Sequence, residues 1–439
     1  MYISMSDRHG GKEKALEPAM EGADLPAARF RLSPVILWLG IVSMATDISS
    51  ESVAAVLPLY ITGFLGLSVI AFGIIDGINQ GASALVRIAA GWASDRVGRP
   101  KRVALAGYGL SLIARVGFLF AGGFWSMAAA VTGDRIGKGI RTAPRDALIS
   151  TAAQPEYLAR HFGVHRMLDN IGAAAGPLIA FLILMLIPNG YGTVFVVSLA
   201  FAAIGVAALA LVVPDLGTGR KARRPGVKRT GGSQAAPGRG ARLPLRWQLF
   251  REPGLGRLLI ASALLGLLTV GDGFIYLVLQ DRDDFAVQWF PLLYVGTNIV
   301  FLLLAIPMGR LADRYGKGRV FLAGHVALLA CYLCAAAPVS GLGPTMLCLA
   351  LLGAFYAATD GVLAAFASQL SPPGMLATGI GTVQTVVALS RVAASTLFGV
   401  CWFALGPAAA MVVVGSLLAV VLPASYFILR KAQRQEAVV

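Results

Sequence analysis

GWASDRVGRPKRVALAG at Gly91–Gly107 and GRLADRYGKGRVFLAG at Gly309–Gly324 are two copies of one pattern, a small helix-ending segment, an Asp-Arg pair, a glycine turn and a basic restart. Unrelated loops would not agree over that length, so the chain reads as a duplicated unit. Each copy joins the second and third long apolar stretch of its half. Those stretches lie near 35–63, 68–90, 101–121, 124–142, 164–187, 192–213, 255–280, 288–308, 319–338, 342–366, 376–400 and 403–429. A bilayer core of about 30 Å needs about 20 helical residues, because lipid offers no partner to an unpaired backbone group. The expectation is an all-α membrane protein of twelve transmembrane helices in two pseudo-symmetric six-helix bundles.

Composition agrees. Of 439 residues 57% are hydrophobic and 13% charged, and the mean hydropathy of +0.73 is too high for a water-soluble domain. A net charge of +15 would raise the question of nucleic acid, but the basic residues sort by side of the membrane instead. Arg96, Arg99, Lys101 and Arg102 follow the second stretch, Arg141, Arg145 and Arg160 the fourth, Arg310, Arg314, Lys317 and Arg319 the eighth, and Arg430, Lys431 and Arg434 the last. The opposite connections hold no Lys or Arg except in the loop Asp281–Asp284. By the positive-inside rule both termini are cytoplasmic, and the location expected is the cell inner membrane. Residues 1–33 mix five basic with five acidic side chains and do not read as a cleaved signal. The domains follow: tail 1–33, first bundle 34–213, linker 214–253 with ten basic residues, second bundle 254–430, tail 431–439. The linker reads as a solvated tether that also touches anionic lipid.

With the repeat in place, the chain resembles the major facilitator superfamily, whose signature loop is G-x-x-x-D-R-x-G-R-[RK]. The string DRIGKGIRTAPRDALI at Asp134–Ile149 is similar to a largely uncharacterised prokaryotic branch of it. The resemblance implies a cytoplasmic gate motif at Gly91, Asp95, Arg96, Gly98 and Arg99, and again at Gly309, Asp313, Arg314 and Gly316. It also implies that Arg135, in a variant R-x-x-Q-G motif with Lys138 replacing Gln, bears on proton coupling. The antiporter motif of the fifth helix is matched at Gly163, Gly172, Gly176 and Pro177, while Ala180 and Phe181 stand where its last glycines belong.

Charges inside the apolar stretches carry the site expectations. Each would cost roughly 2.5–3.5 kcal/mol at mid-bilayer, so a helix keeps one only where it faces protein or water. Asp47 and Glu51 share a face of the first helix and cannot both stay ionised cheaply, which makes them, with Arg135 as neighbouring cation, the candidate proton-coupling group. Asp76, Gln80, Asp272, Tyr276, Asn298, Asp360, Gln384 and Arg391 are the expected substrate cavity, Asp76, Asp360 and Arg391 reading equally well as interhelical pairs. Arg115, on a peripheral helix, reads as structural. Gly73, Gly77 and Gly81 allow close helix approach. His161 and His165 are flanked by Arg160 and Arg166, which would repel a metal. Cys331, Cys334, Cys348 and Cys401 lie in apolar runs, Cys331 and Cys334 packing on one helix turn, and His325 reads as a hydrogen-bonded core residue. No nucleotide-binding loop occurs, so energy from nucleotide hydrolysis is not indicated, and neither a metal nor a cofactor is expected.

The function expected is a secondary active transporter, not an enzyme. It exports a small organic compound by proton-coupled antiport, with substrate, protons and membrane lipid as partners, no nucleic acid, and the monomer as working unit. An importer of an organic anion, suggested by Arg115, Arg135, Lys138 and Arg391, is the alternative. A non-transporting receptor or assembly partner is a third.

Overall fold

A computed structural model describes residues 32–97, 99–154, 157–215, 253–371 and 376–436, excepting the side chains of 85, 87–97, 158–159, 253, 376–378 and 432–436. The first tail and the basic linker therefore lie almost wholly outside the described residues, as does the end of the last tail.

Thirteen α-helices occupy the described residues: α1 Pro34–Leu59, α2 Val69–Val97, α3 Pro100–Leu119, α4 Phe124–Ala152, α5 Leu158–Leu186, α6 Tyr191–Leu211, α7 Pro253–Gly266, α8 Asp272–Asp283, α9 Phe290–Tyr315, α10 Lys317–Ala336, α11 Leu342–Gln369, α12 Leu376–Leu405 and α13 Pro407–Glu436. They fall on the twelve expected intervals with the seventh divided into α7 and α8. Eight of them are long and apolar enough to cross a membrane. Helices α1, α2 and α4 are long enough, and their charged stripes explain why they are absent from that set; α7 and α8 are each too short alone.

The duplication extends to packing. In the first half α1 meets α5 and α6, α3 meets α4 and α6, and α2 meets α4. In the second half α7 meets α12 and α13, α10 meets α11 and α13, and α9 meets α11, which are the same pairings shifted by one repeat. The last glycine of each signature copy serves the same contact. A Cβ on Gly107 would stand 2.8 Å from the Gly137 carbonyl of α4, and one on Gly324 would stand 2.9 Å from Ala358 Cβ of α11. The halves join through α2 on α12 and α5 on α9, again exchanged by the repeat. Along the first seam, Cβ atoms on Gly73 and Gly77 would meet the Ser395 and Val392 carbonyls at 2.6 and 2.8 Å. The second includes Phe181 against Trp289, ring centroids 5.3 Å apart.

Outward-facing side chains are apolar: Leu211, Trp125, Phe120 and Leu186 are exposed by 85, 83, 81 and 78%. Water would penalise that surface, and hydrocarbon accepts it.

The seventh stretch differs from the continuous span expected. Its backbone leaves the helix at Leu267 and re-enters at Asp272, and the exposed peptide groups are taken by one side chain. The Tyr332 hydroxyl of α10 accepts from Val270 N–H at 2.8 Å and donates to the Leu268 carbonyl at 3.0 Å. A break at membrane depth is tolerated where protein satisfies it in this way.

Candidate functional site

The two bundles enclose two adjoining chambers. One, of about 220 Å³, is lined by Glu51, Asp76, Gln80, Asp272, Tyr276 and Asn298, with Phe72, Tyr294 and Tyr356 among the rest. The other, of about 320 Å³, is lined by Gln80, His325, Asp360, Gln384 and Arg391. Gln80 stands on the walls of both, and Tyr356 and Arg391 lie against it. The eight residues expected to form a cavity thus all stand on its walls.

The walls are built from the break in the seventh stretch. Gly271 caps α8, and a Cβ there would lie 2.1 Å from Asp76 Oδ2. Only a glycine lets the α2 carboxyl settle on this backbone. Ser395 Oγ donates to the same oxygen at 2.7 Å. One residue on, Asp272 accepts from the Tyr356 hydroxyl, and the Tyr276 hydroxyl donates to Thr297 Oγ1 at 2.7 Å. Arg391 lies over the Tyr356 ring, 5.9 Å from its centroid. Asp360 is exposed to the cavity space. Asp76, Asp272 and Asp360 form no ion pair among the described residues. His325 does more than fill the core: its Nδ1 faces the Phe321 carbonyl at 2.9 Å, and it also lines the larger chamber.

A second polar cluster runs through the interior of the first bundle. Arg115 Nη2 pairs with Asp134 at 2.8 Å and donates to Ser50 Oγ at 3.0 Å. Arg135, expected beside Asp47 and Glu51, instead pairs with its neighbour Asp134 at 3.0 Å. Asp134 is 2% exposed, and a carboxylate so buried needs cations close by, which a long guanidinium can supply by folding back along the helix. Glu51 has Lys138 as its cation, at 4.0 Å. Asp47 of α1 lies on the side of Asp169 of α5, across the close contact of these two helices, with Lys138 and Arg141 the nearby cations.

Arg141 and Arg145, expected in a basic loop after the fourth helix, are inside α4 and buried. Pro144 does not end the helix, because α3 and α2 pack along α4 and hold it. Arg141 Nη1 donates to Ser111 Oγ at 3.1 Å and lies over the Tyr108 ring at 4.7 Å. Arg145 donates to Ser43 Oγ at 2.8 Å and lies 3.8 Å from Asp169.

The fifth-helix glycines position this cluster. Cβ atoms on Gly172 and Gly176 would meet the Met44 carbonyl at 2.5 Å and the Ile48 carbonyl at 2.9 Å, so α5 lies directly on the α1 backbone either side of Asp47. Gly163 has open space, and Pro177 lies inside α5. Asp169 escaped the sequence reading, although its place one helical turn before Gly172 was a usable signal.

Of the gate motif, Gly98 and the side chains of Asp95 and Arg96 lie outside the described residues, Gly91 is helical within α2, and Arg99 is exposed just before α3. In the second copy Gly309 has open space around it, Asp313 is 78% exposed and 4.0 Å from Lys317, Arg314 lies over the Tyr315 ring at 5.3 Å, and Gly316 makes the turn into α10 with φ 97°.

Two pseudo-symmetric helical bundles around a polar cavity are the architecture of a membrane transporter. The family model of the Major Facilitator Superfamily matches residues 37–395 and 283–438, and the chain belongs to that superfamily. It is 28% identical over 379 residues to an uncharacterized MFS-type transporter of Methanocaldococcus jannaschii, covering 84% of this chain and 89% of the relative. Among solved structures it is similar in fold to a mutant of the nucleoside transporter NupG, with TM-score 0.74, 16% identity, and 90 and 99% of the two chains covered. A POT family transporter in complex with a thioalcohol-conjugated peptide matches with TM-score 0.73, 13% identity, and 90 and 96% covered. The protein is therefore a transporter and not an enzyme.

Proposed function

We propose that the chain exports a small organic compound across the inner membrane in exchange for protons, acting as a monomer with both termini cytoplasmic. The observation that carries this reading is the placing of Asp47 on the side of Asp169, on two helices held close by Gly172 and Gly176. Two neighbouring carboxyls are most stable holding one proton between them. When that proton leaves, mutual repulsion turns them toward Lys138, Arg141 and Arg145, which strains the tight α1–α5 contact. Glu51, one turn further on and itself on the chamber wall, transmits the change to the cavity. Arg135 acts through Asp134 by keeping the α3–α4 charge complement constant. Asp95 with Arg96 and Arg99, and Asp313 with Arg314, latch the bundles on the cytoplasmic side in the complementary state.

The alternative of an anion importer loses its motive here. Arg115 and Arg135 are both engaged by Asp134 and Lys138 stands nearest Glu51, which leaves Arg391 against a group of cavity carboxyls. Uptake of a compound library into everted vesicles, with and without a pH gradient acid inside, tests the proposal. The expected result is gradient-dependent accumulation of at least one compound together with proton release. Accumulation indifferent to the gradient would contradict it.

A further inference from the structure

We infer that the cavity takes an organic cation, an amine carried on an aromatic or compact apolar body. The inference rests on the transporter reading for the existence of the cavity, and on neither the direction of transport nor its coupling.

Charge comes first. Asp76, Asp272 and Asp360 reach the chambers from three helices of both bundles, and none has an ion-pair partner among the described residues. Arg391 is the one guanidinium on the walls among those residues. A ligand bringing positive charge into this space meets three carboxyls that share the single guanidinium of Arg391, whereas an anion adds to an existing excess. Of the other basic side chains of the first bundle's interior, Arg115, Arg135, Lys138 and Arg145 already stand against carboxylates, and Arg141 is held by Ser111 and the Tyr108 ring.

Aromatic faces are the second, independent observation. Half-buried Tyr294, backed edge to face at 4.5 Å by the fully buried Tyr276, stands on the wall that holds Asp272, with half-buried Tyr356 on the same chamber. Ring faces beside carboxyls are the pattern that holds an ammonium group, the ring quadrupole attracting the cation and the carboxylate neutralising it. Arg391 already occupies such a position over Tyr356, with Nε buried and lacking a hydrogen-bond partner. It acts as an internal stand-in for the headgroup of a bound amine.

The test uses the full-length purified chain in lipid nanodiscs and three probes sharing one ring: tyramine as cation, 4-ethylphenol as neutral analogue and 3-(4-hydroxyphenyl)propionate as anion. Choline and 3,3-dimethylbutanol form a second charged and neutral pair without a ring. Binding is read by thermal stabilisation and titration at neutral pH. At least one amine should bind about tenfold tighter than its neutral partner, and the propionate should bind more weakly than either phenol. Asp360→Asn, whose carboxyl is open to the cavity, and Asp272→Asn should each cut the amine preference to about threefold or less, with ligand-free unfolding temperature as folding control. Propionate binding as tight as tyramine, equal affinity for charged and neutral partners, or no binding of either amine at millimolar concentration would overturn the inference. Binding needs no gradient, so its failure leaves proton coupling standing, and absence of gradient-driven transport would leave this inference standing.

Discussion

The two bundles share one packing scheme and use their charges differently. In the first, Arg115, Asp134, Arg135, Lys138, Glu51, Arg145 and Asp169 form ion pairs between or along α1, α3, α4 and α5. In the second, Asp272, Asp360 and Arg391 face the cavity without an ion pair, and the interior is filled by rings such as Phe274, Phe290, Phe355 and Phe398. A buried pair is strongly destabilising only when one member is removed, whereas a group facing water-filled space can be changed cheaply. Duplication therefore supplies two equal scaffolds, one with a charge network through its interior and one whose cavity charges stand without ion pairs, its Arg282–Asp283 pair lying apart at the end of α8.

The largest effect that would break this contrast is expected at Asp134. Asp134→Asn leaves Arg115 and Arg135 buried without a counter-charge and should destabilise the protein by about 3–5 kcal/mol, seen as loss of monodisperse protein or a steep fall in unfolding temperature. Stability close to that of the parent would mean that the first bundle does not depend on its charges.

A smaller effect is expected at the join between the bundles. Gly271→Ala pushes a methyl group into the Asp76 carboxyl and should cost about 1–3 kcal/mol in thermal stability, with Asp76→Ala recovering part of it in the double variant. Strict additivity of the two changes would deny the contact. Smallest of all is Asp360→Asn, expected to change unfolding free energy by less than about 0.5 kcal/mol because the side chain faces the cavity space. A loss comparable with Asp134→Asn would erase the distinction between the bundles.

The repeat at Gly91 and Gly309 was enough for the architecture, since a duplicated loop between apolar stretches has few other folds. The lining of the two chambers was legible because a charged or polar side chain in an apolar stretch must face protein or water, as Asp76, Asp272, Asp360 and Arg391 and the neutral Gln80, Tyr276, Asn298 and Gln384 all do. The break after Gly266 was not, because Leu267–Val270 is apolar enough to continue a helix. The Gly271-Asp272-Gly273 triplet was the trace it left. Partner choice was the least legible. Asp134 and Arg135 are neighbours in sequence and their pairing depends on how α3 closes over α4, while Arg141 and Arg145 read as loop residues because they are basic and stand at and beyond the end of the fourth apolar stretch.

The central claim is that the Asp47 and Asp169 carboxyls hold the transported proton. The most direct measurement compares gradient-driven accumulation with downhill exchange, in proteoliposomes, for the parent chain and for Asp47→Asn, using any compound that the vesicle screen yields. Loss of the gradient-driven component by about tenfold or more, with downhill exchange retained, is the predicted result. Undiminished gradient-driven transport by Asp47→Asn, and again by the Asp47→Asn, Glu51→Gln double variant, would contradict it.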